Sequence, residues 1–181
     1  MKKTVVISSI FCTILFFLHC TIACLHYSQV ITSKVPVIAS GCILGIPLVI
    51  HMVTSLISMA RNAQKDPNAS AYAELNVNIV IQSATGIFSM VFLVLHVVVN
   101  GLSSAYGHKF LLYLHAALEL IFILILLLHL AVGLPKLFLS LGLIKRMKSY
   151  KISRIVVCVL LIIPLLMYVI SSIQYHFIYT D

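Results

Sequence analysis

Charge is what this sequence has least of. Asp, Glu, Lys and Arg together make up 9% of the 181 residues, while 62% are hydrophobic. The mean hydropathy of +1.16 excludes an ordinary soluble domain. Such a chain is an integral membrane protein, and at roughly 20 residues per span it has room for about five or six spans and little else. Whatever soluble chemistry it serves is left to a partner. Acids are scarcer still, four against twelve Lys and Arg, which leaves a net charge of +8. That excess does not call for nucleic acid, because basic loops orient membrane proteins. There is no CxxCH, so covalent haem attachment is not indicated. Low-complexity stretches, internal repeats and a flavin motif are also missing from the sequence. The five cysteines are odd in number, and Cys12, Cys20, Cys42 and Cys158 fall in apolar runs, where packing accounts for them.

What is there is a series of apolar segments, at 4–26, 36–60, 77–103, 109–135 and 152–178. Each is long enough to cross about 30 Å of hydrocarbon as a helix, some with tilt. The breaks are polar or basic: HYSQVITSKV, RNAQKDPNASAYAE, AYGHK and KLFLSLGLIKRMKSYKISR. The last is long enough to lie partly along the membrane surface. Placing the N-terminus in the cytoplasm puts Lys2, Lys3, Arg61, Lys65, Lys136, Lys145, Arg146, Lys148, Lys151 and Arg154 inside, and only Lys34 and Lys109 outside. Ten against two is a strong positive-inside bias. The expectation is an all-α membrane protein, a single five-helix transmembrane bundle over 1–181 with its C-terminus outside.

The opening segment, MKKTVVISSIFCTILFFLHCTIAC, resembles a secretory leader at first sight. Removing it would leave four spans with every loop on the same side, so topology does not decide. Thr21 stands where a lipoprotein cleavage site has an aliphatic residue. His19, deep in the run, needs an explanation that a discarded leader does not provide.

The chain has eight histidines. His26, His108 and His176 fall near the outer ends of spans, where snorkelling accounts for them. Four others lie inside successive spans, and an intramembrane ionisable group normally has a partner. His19 and His96 are each about 10 Å below the outer surface at 1.5 Å per residue. His51 is about 14 Å and His129 about 9 Å from the inner surface. The four therefore sort into an outer pair and an inner pair. Paired imidazoles from facing helices are what bis-histidine haem iron requires, and bundle cores are where such sites are built. Small residues that admit a porphyrin stand nearby: Gly133 and Ser55 four after His129 and His51, Ser89 and Thr85 on the face of His96, Gly41 and Gly45 on the second span. A zinc or copper site would want three or four ligands converging at one depth, with a carboxylate or thiolate among them. Cys20 does not supply this beside His19, because adjacent helical residues point apart. On this reading the first segment is a retained span carrying a haem ligand.

The order of elements then resembles a known family. QSATGIFSMVFLVLH, Gln82 to His96, looks like a Q-R-x-T-G segment running into a third-span ligand, HLAVG from His129 looks like a fourth-span H-x-x-x-G, and LVIHMVTS resembles the second-span ligand segment. The first span matches by the position of His19. Together these resemble the single-chain dihaem cytochrome b anchor of succinate dehydrogenase and fumarate reductase. The resemblance implies two haem b groups, with His19 and His96 on the outer iron and His51 and His129 on the inner one. It also implies flavoprotein and iron–sulfur partner subunits on the cytoplasmic face, a quinone as substrate and a bacterial plasma membrane. Ser83 stands where the motif has Arg, so a role toward haem propionates would pass to Lys65 or the basic 145–154 stretch. The basic amphipathic lead-in before the first span is also missing.

Glu119 is the only acid clearly inside a span, and His115 precedes it by one turn. The stripe His115, Glu119, Phe122, Leu126, His129, Gly133 keeps one helix face. Quinol oxidation releases two protons with two electrons, and a carboxylate–imidazole pair near the outer haem is suited to take them. Glu119 and His115 are therefore candidates for proton transfer at an outer menaquinone site. His115, about 9 Å below the outer surface, can also replace His19 or His96 as iron ligand. Two rivals stand beside this reading. One is a different haem b reductase or quinol cytochrome b. The other is a haem-free metal or ion transporter, for which Pro47 and Pro164 would mark kinks.

Overall fold

The computed structural model describes residues 2–63, 73–106 and 109–178. Lys65 and His108 lie outside these residues, as do the side chains of Arg61 and His176. The described residues form five helices and no strand: α1 (Lys2–Tyr27), α2 (Val35–Ala63), α3 (Ala73–Tyr106), α4 (Lys109–Ser140) and α5 (Met147–Ile178). All five are long and apolar enough to cross a membrane. In hydrocarbon a backbone amide has no water to fall back on, so an apolar segment closes its hydrogen bonds within one helix.

Helix ends are where the structure departs from the expected spans. α4 runs to Ser140 instead of 135, and α5 begins at Met147 instead of 152, so the basic linker shrinks to residues 141–146. Pro135 removes one amide donor without stopping the helix, because Leu137, Phe138 and Leu139 continue the apolar run. The stop comes at Gly142. Its φ of 75° is the left-handed turn that ends α4, with Leu143 N donating to Phe138 O at 3.0 Å and Gly142 N to Leu139 O at 3.1 Å. α1 ends in the same way at Gln29, φ 59°, with Val30 N to Leu25 O and Gln29 N to His26 O, both 3.0 Å. His26 then donates its Nδ1–H to Ile31 O at 2.8 Å, which ties down the turn. This gives the histidine at the end of the first span a local structural task.

The chain divides into two compact units, residues 1–72 and 73–181. In the first, α1 packs on α2; in the second, α4 packs on both α3 and α5. Burial is inverted relative to a soluble protein. Phe11, Ile46 and Ile163 are more than half exposed, while Ser8, Ser40, Asn78, Thr85, Ser89, His115, Glu119 and Ser171 are buried. Lipid tails solvate the apolar exterior, and Ser8, Ser40, Asn78 and Thr85 meet polar groups of a neighbouring helix.

Candidate functional site

Three of the four expected iron ligands share one local arrangement. In the first unit, His19 on α1 reaches Ser40 on α2, Nδ1 to Oγ 2.9 Å. Ser40 Oγ also lies 2.9 Å from Val37 O, within its own helix. His51 on α2 reaches back to α1, with Nδ1 3.2 Å from Ser9 Oγ and 3.3 Å from Ser8 Oγ. Both of these hydroxyls donate to Val5 O, at 2.7 and 3.0 Å. In the second unit, His129 on α4 donates from Nδ1 to the carbonyl of Gln82 on α3 at 3.0 Å and lies 3.2 Å from Thr85 Oγ1. Thr85 in turn donates to Ile81 O at 2.7 Å.

A carbonyl only accepts, so the contact to Gln82 O makes Nδ1 of His129 a donor. His19 and His51 present the same nitrogen, Nδ1, to a hydroxyl on the neighbouring helix. Metal-binding histidines are commonly oriented in this way, through the nitrogen that does not bind.

Glycines let two of these rings sit close to a neighbouring backbone. A Cβ on Gly41 would meet His19 Cε1 at 3.3 Å, and one on Gly86 would meet His129 Cε1 at 3.2 Å. Gly86 is the last residue of the QSATG segment, so that segment supplies His129 with a carbonyl, a hydroxyl and a gap. Gly133 serves a different purpose from the porphyrin clearance its spacing suggests. Its open face holds the Gln82 side chain, whose Nε2 lies 3.2 Å from where a Cβ would be. The Gln82 Oε1 accepts from Lys136 Nζ at 2.9 Å, and Asn78, one turn earlier on α3, accepts from Arg154 Nη1 at 3.3 Å. Cations from α4 and from the basic stretch are thus brought to the same face of α3.

His96, the fourth expected ligand, has different company. His115 stacks beside it, ring centroids 4.9 Å apart and tilted by 35°, and Phe122 lies 6.0 Å away on the other turn of the same α4 stripe. Glu119 Oε2 is 3.8 Å from His115 Nδ1. His115 and Glu119 are both buried, and the ligand atoms of His96, His115 and Glu119 all lie within 4.8 Å of one another. The convergence at one depth, carboxylate included, that a metal ion requires is therefore present among residues the sequence had assigned to two different tasks. Where His115 was a stand-in for either outer ligand, the structure puts it beside His96.

Sequence reasoning did not reach Ser8, Ser9 or Ser40. Their signal was weak: hydroxyls inside apolar runs, with nothing along the chain to say which imidazole each would face. No family model, curated protein or solved structure matches this chain. The site is therefore read from its own chemistry.

Proposed function

We propose that this chain is a dihaem b-type membrane anchor that passes electrons between a quinone pool and cytoplasmic flavin and iron–sulfur subunits, of the succinate:quinone oxidoreductase or quinol:fumarate reductase type. The observation that carries the reading is the shared arrangement of His19, His51 and His129. Each lies in an apolar helix with its Nδ1 against a hydroxyl or carbonyl of the neighbouring helix, an arrangement that suits Nε2 as the ligating nitrogen. On this reading His51 and His129 hold the inner haem, and His19 and His96 hold the outer one. The haems supply a one-electron relay across the bilayer. Glu119 and His115 take the two protons that menaquinol releases as its two electrons leave. Lys136 and Arg154, both on basic inner segments, lie on the side that docks the iron–sulfur partner and serve haem propionates or that partner in place of the arginine replaced by Ser83. The host membrane is a bacterial plasma membrane, with the N-terminus in the cytoplasm.

The test is a dithionite-reduced minus oxidised spectrum of the purified chain, with the haem counted as pyridine haemochrome. The expected result is two b haems per chain, falling to one in His51→Ala and in His129→Ala. A well-folded preparation, supplied with haem, that binds none would overturn the reading.

A further inference from the structure

We propose that His96, His115 and Glu119 form a divalent transition-metal site whose occupancy excludes the outer haem from His96. The ion site stands on the geometry of these three residues alone; the exclusion rests on the haem reading.

Glu119 is the starting point. It is the only acid whose side chain the structure describes, and it is buried within a helix that crosses the membrane. An ionised carboxylate in such a place is costly unless a positive charge accompanies it. Its Oε2 lies 3.8 Å from His115 Nδ1, and the His96 ring lies beside that of His115. A divalent ion at this point offsets the carboxylate charge and takes a lone pair from each ring.

The geometry suits this. α4 offers two ligands one turn apart, and α3 offers the third from across the helix contact. Tetrahedral zinc with bonds of about 2.0–2.1 Å spaces its donor atoms roughly 3.3 Å apart. The present spread of up to 4.8 Å closes to that by side-chain rotation of about an ångström per group, with no helix movement. Two imidazole nitrogens and one carboxylate oxygen suit zinc or ferrous iron better than cuprous copper, which favours sulfur ligands. Three protein ligands leave a fourth position for water.

The exclusion follows from the valence of His96. A neutral imidazole has one nitrogen lone pair. Given to the ion, it is not available to haem iron. Metal loading therefore sets how many haems the chain holds, and it also occupies the carboxylate–imidazole pair assigned to quinol protons.

The experiment uses the full chain made without haem, stripped with chelator, given excess Zn2+, desalted, and counted by metal analysis. Wild type is expected to retain one zinc per chain, and Glu119→Gln and His115→Gln none. Zinc should raise the unfolding temperature of wild type and leave that of the two variants unchanged, which separates lost ligation from lost folding. Haem added afterwards should stop at one per chain in zinc-loaded wild type, against two without zinc. Wild type that retains no zinc, or variants that retain it as wild type does, overturn the site. One zinc together with two haems overturns the exclusion. A chain that takes up no haem under either condition fails the haem reading and the exclusion with it, while the zinc counts still decide the ion site.

Discussion

Ser40 does for His19 what a backbone carbonyl does for His129, and the difference is open to test. The Ser40 hydroxyl is the one hydrogen-bond partner described for His19 Nδ1. Ser40→Ala removes it and frees the ring to turn, so affinity at the proposed outer haem site should fall about 10–100-fold, with Ser40→Thr retaining most of it. Thr85→Ala should cost the inner haem less than tenfold, roughly, because the Gln82 carbonyl still orients His129. Haem titration of the three variants checks both. Gly86→Ala places a methyl 3.2 Å from His129 Cε1. The ring must shift, at about 1–3 kcal/mol for such overpacking, and the expected readout is loss of the inner haem with the helical content intact. At this scale the imidazoles were legible from the sequence and their partners were not. Which serine faces which ring depends on helix rotation, and a serine in an apolar run carries no mark of the residue across from it.

α4 bears more of the site than any other element, presenting His115, Glu119, Phe122, His129 and Gly133 along one stripe. Its stripe was readable because a helix repeats every 3.6 residues whatever surrounds it. Its C-terminal end was not readable, because Pro135 is a familiar stop signal that tertiary and lipid surroundings override. The end is set by Gly142 in a left-handed turn. Gly142→Ala should destabilise the end of α4 by about 1 kcal/mol, since a side chain there disfavours positive φ. Loosening the last turn also loosens Lys136, which should show as faster amide hydrogen exchange over residues 136–141 with His115 and Glu119 unaffected. Gly133→Ala tests the adjoining contact, since it pushes the Gln82 amide off its seat and with it the Lys136 hydrogen bond.

For the whole molecule, charge predicts the direction across the membrane. The ten basic residues assigned to one side and two to the other predict that a reporter enzyme active only outside the cytoplasm will work when fused after residue 31 or residue 181, and fail when fused after residue 144. The reverse pattern would invert the chain and place Lys136 and Arg154 away from any cytoplasmic partner. The exterior of both units is apolar and their polar side chains are turned inward, so extraction into detergent is expected to be needed for every one of these measurements.

That five helices would cross a membrane, and that four of them would carry a histidine well inside, was decided by composition and order along the chain. Hydrophobic length is a local property, and a membrane reads it segment by segment. That His129 would be held by Gln82, Thr85 and Gly86 required two helices to meet in one register. The same register brought His96 to His115 and Glu119, joining an expected haem ligand to an expected proton-transfer pair. Side chains from different helices converge only through packing, and spacing along a single chain does not encode the rotation of one helix against its neighbour.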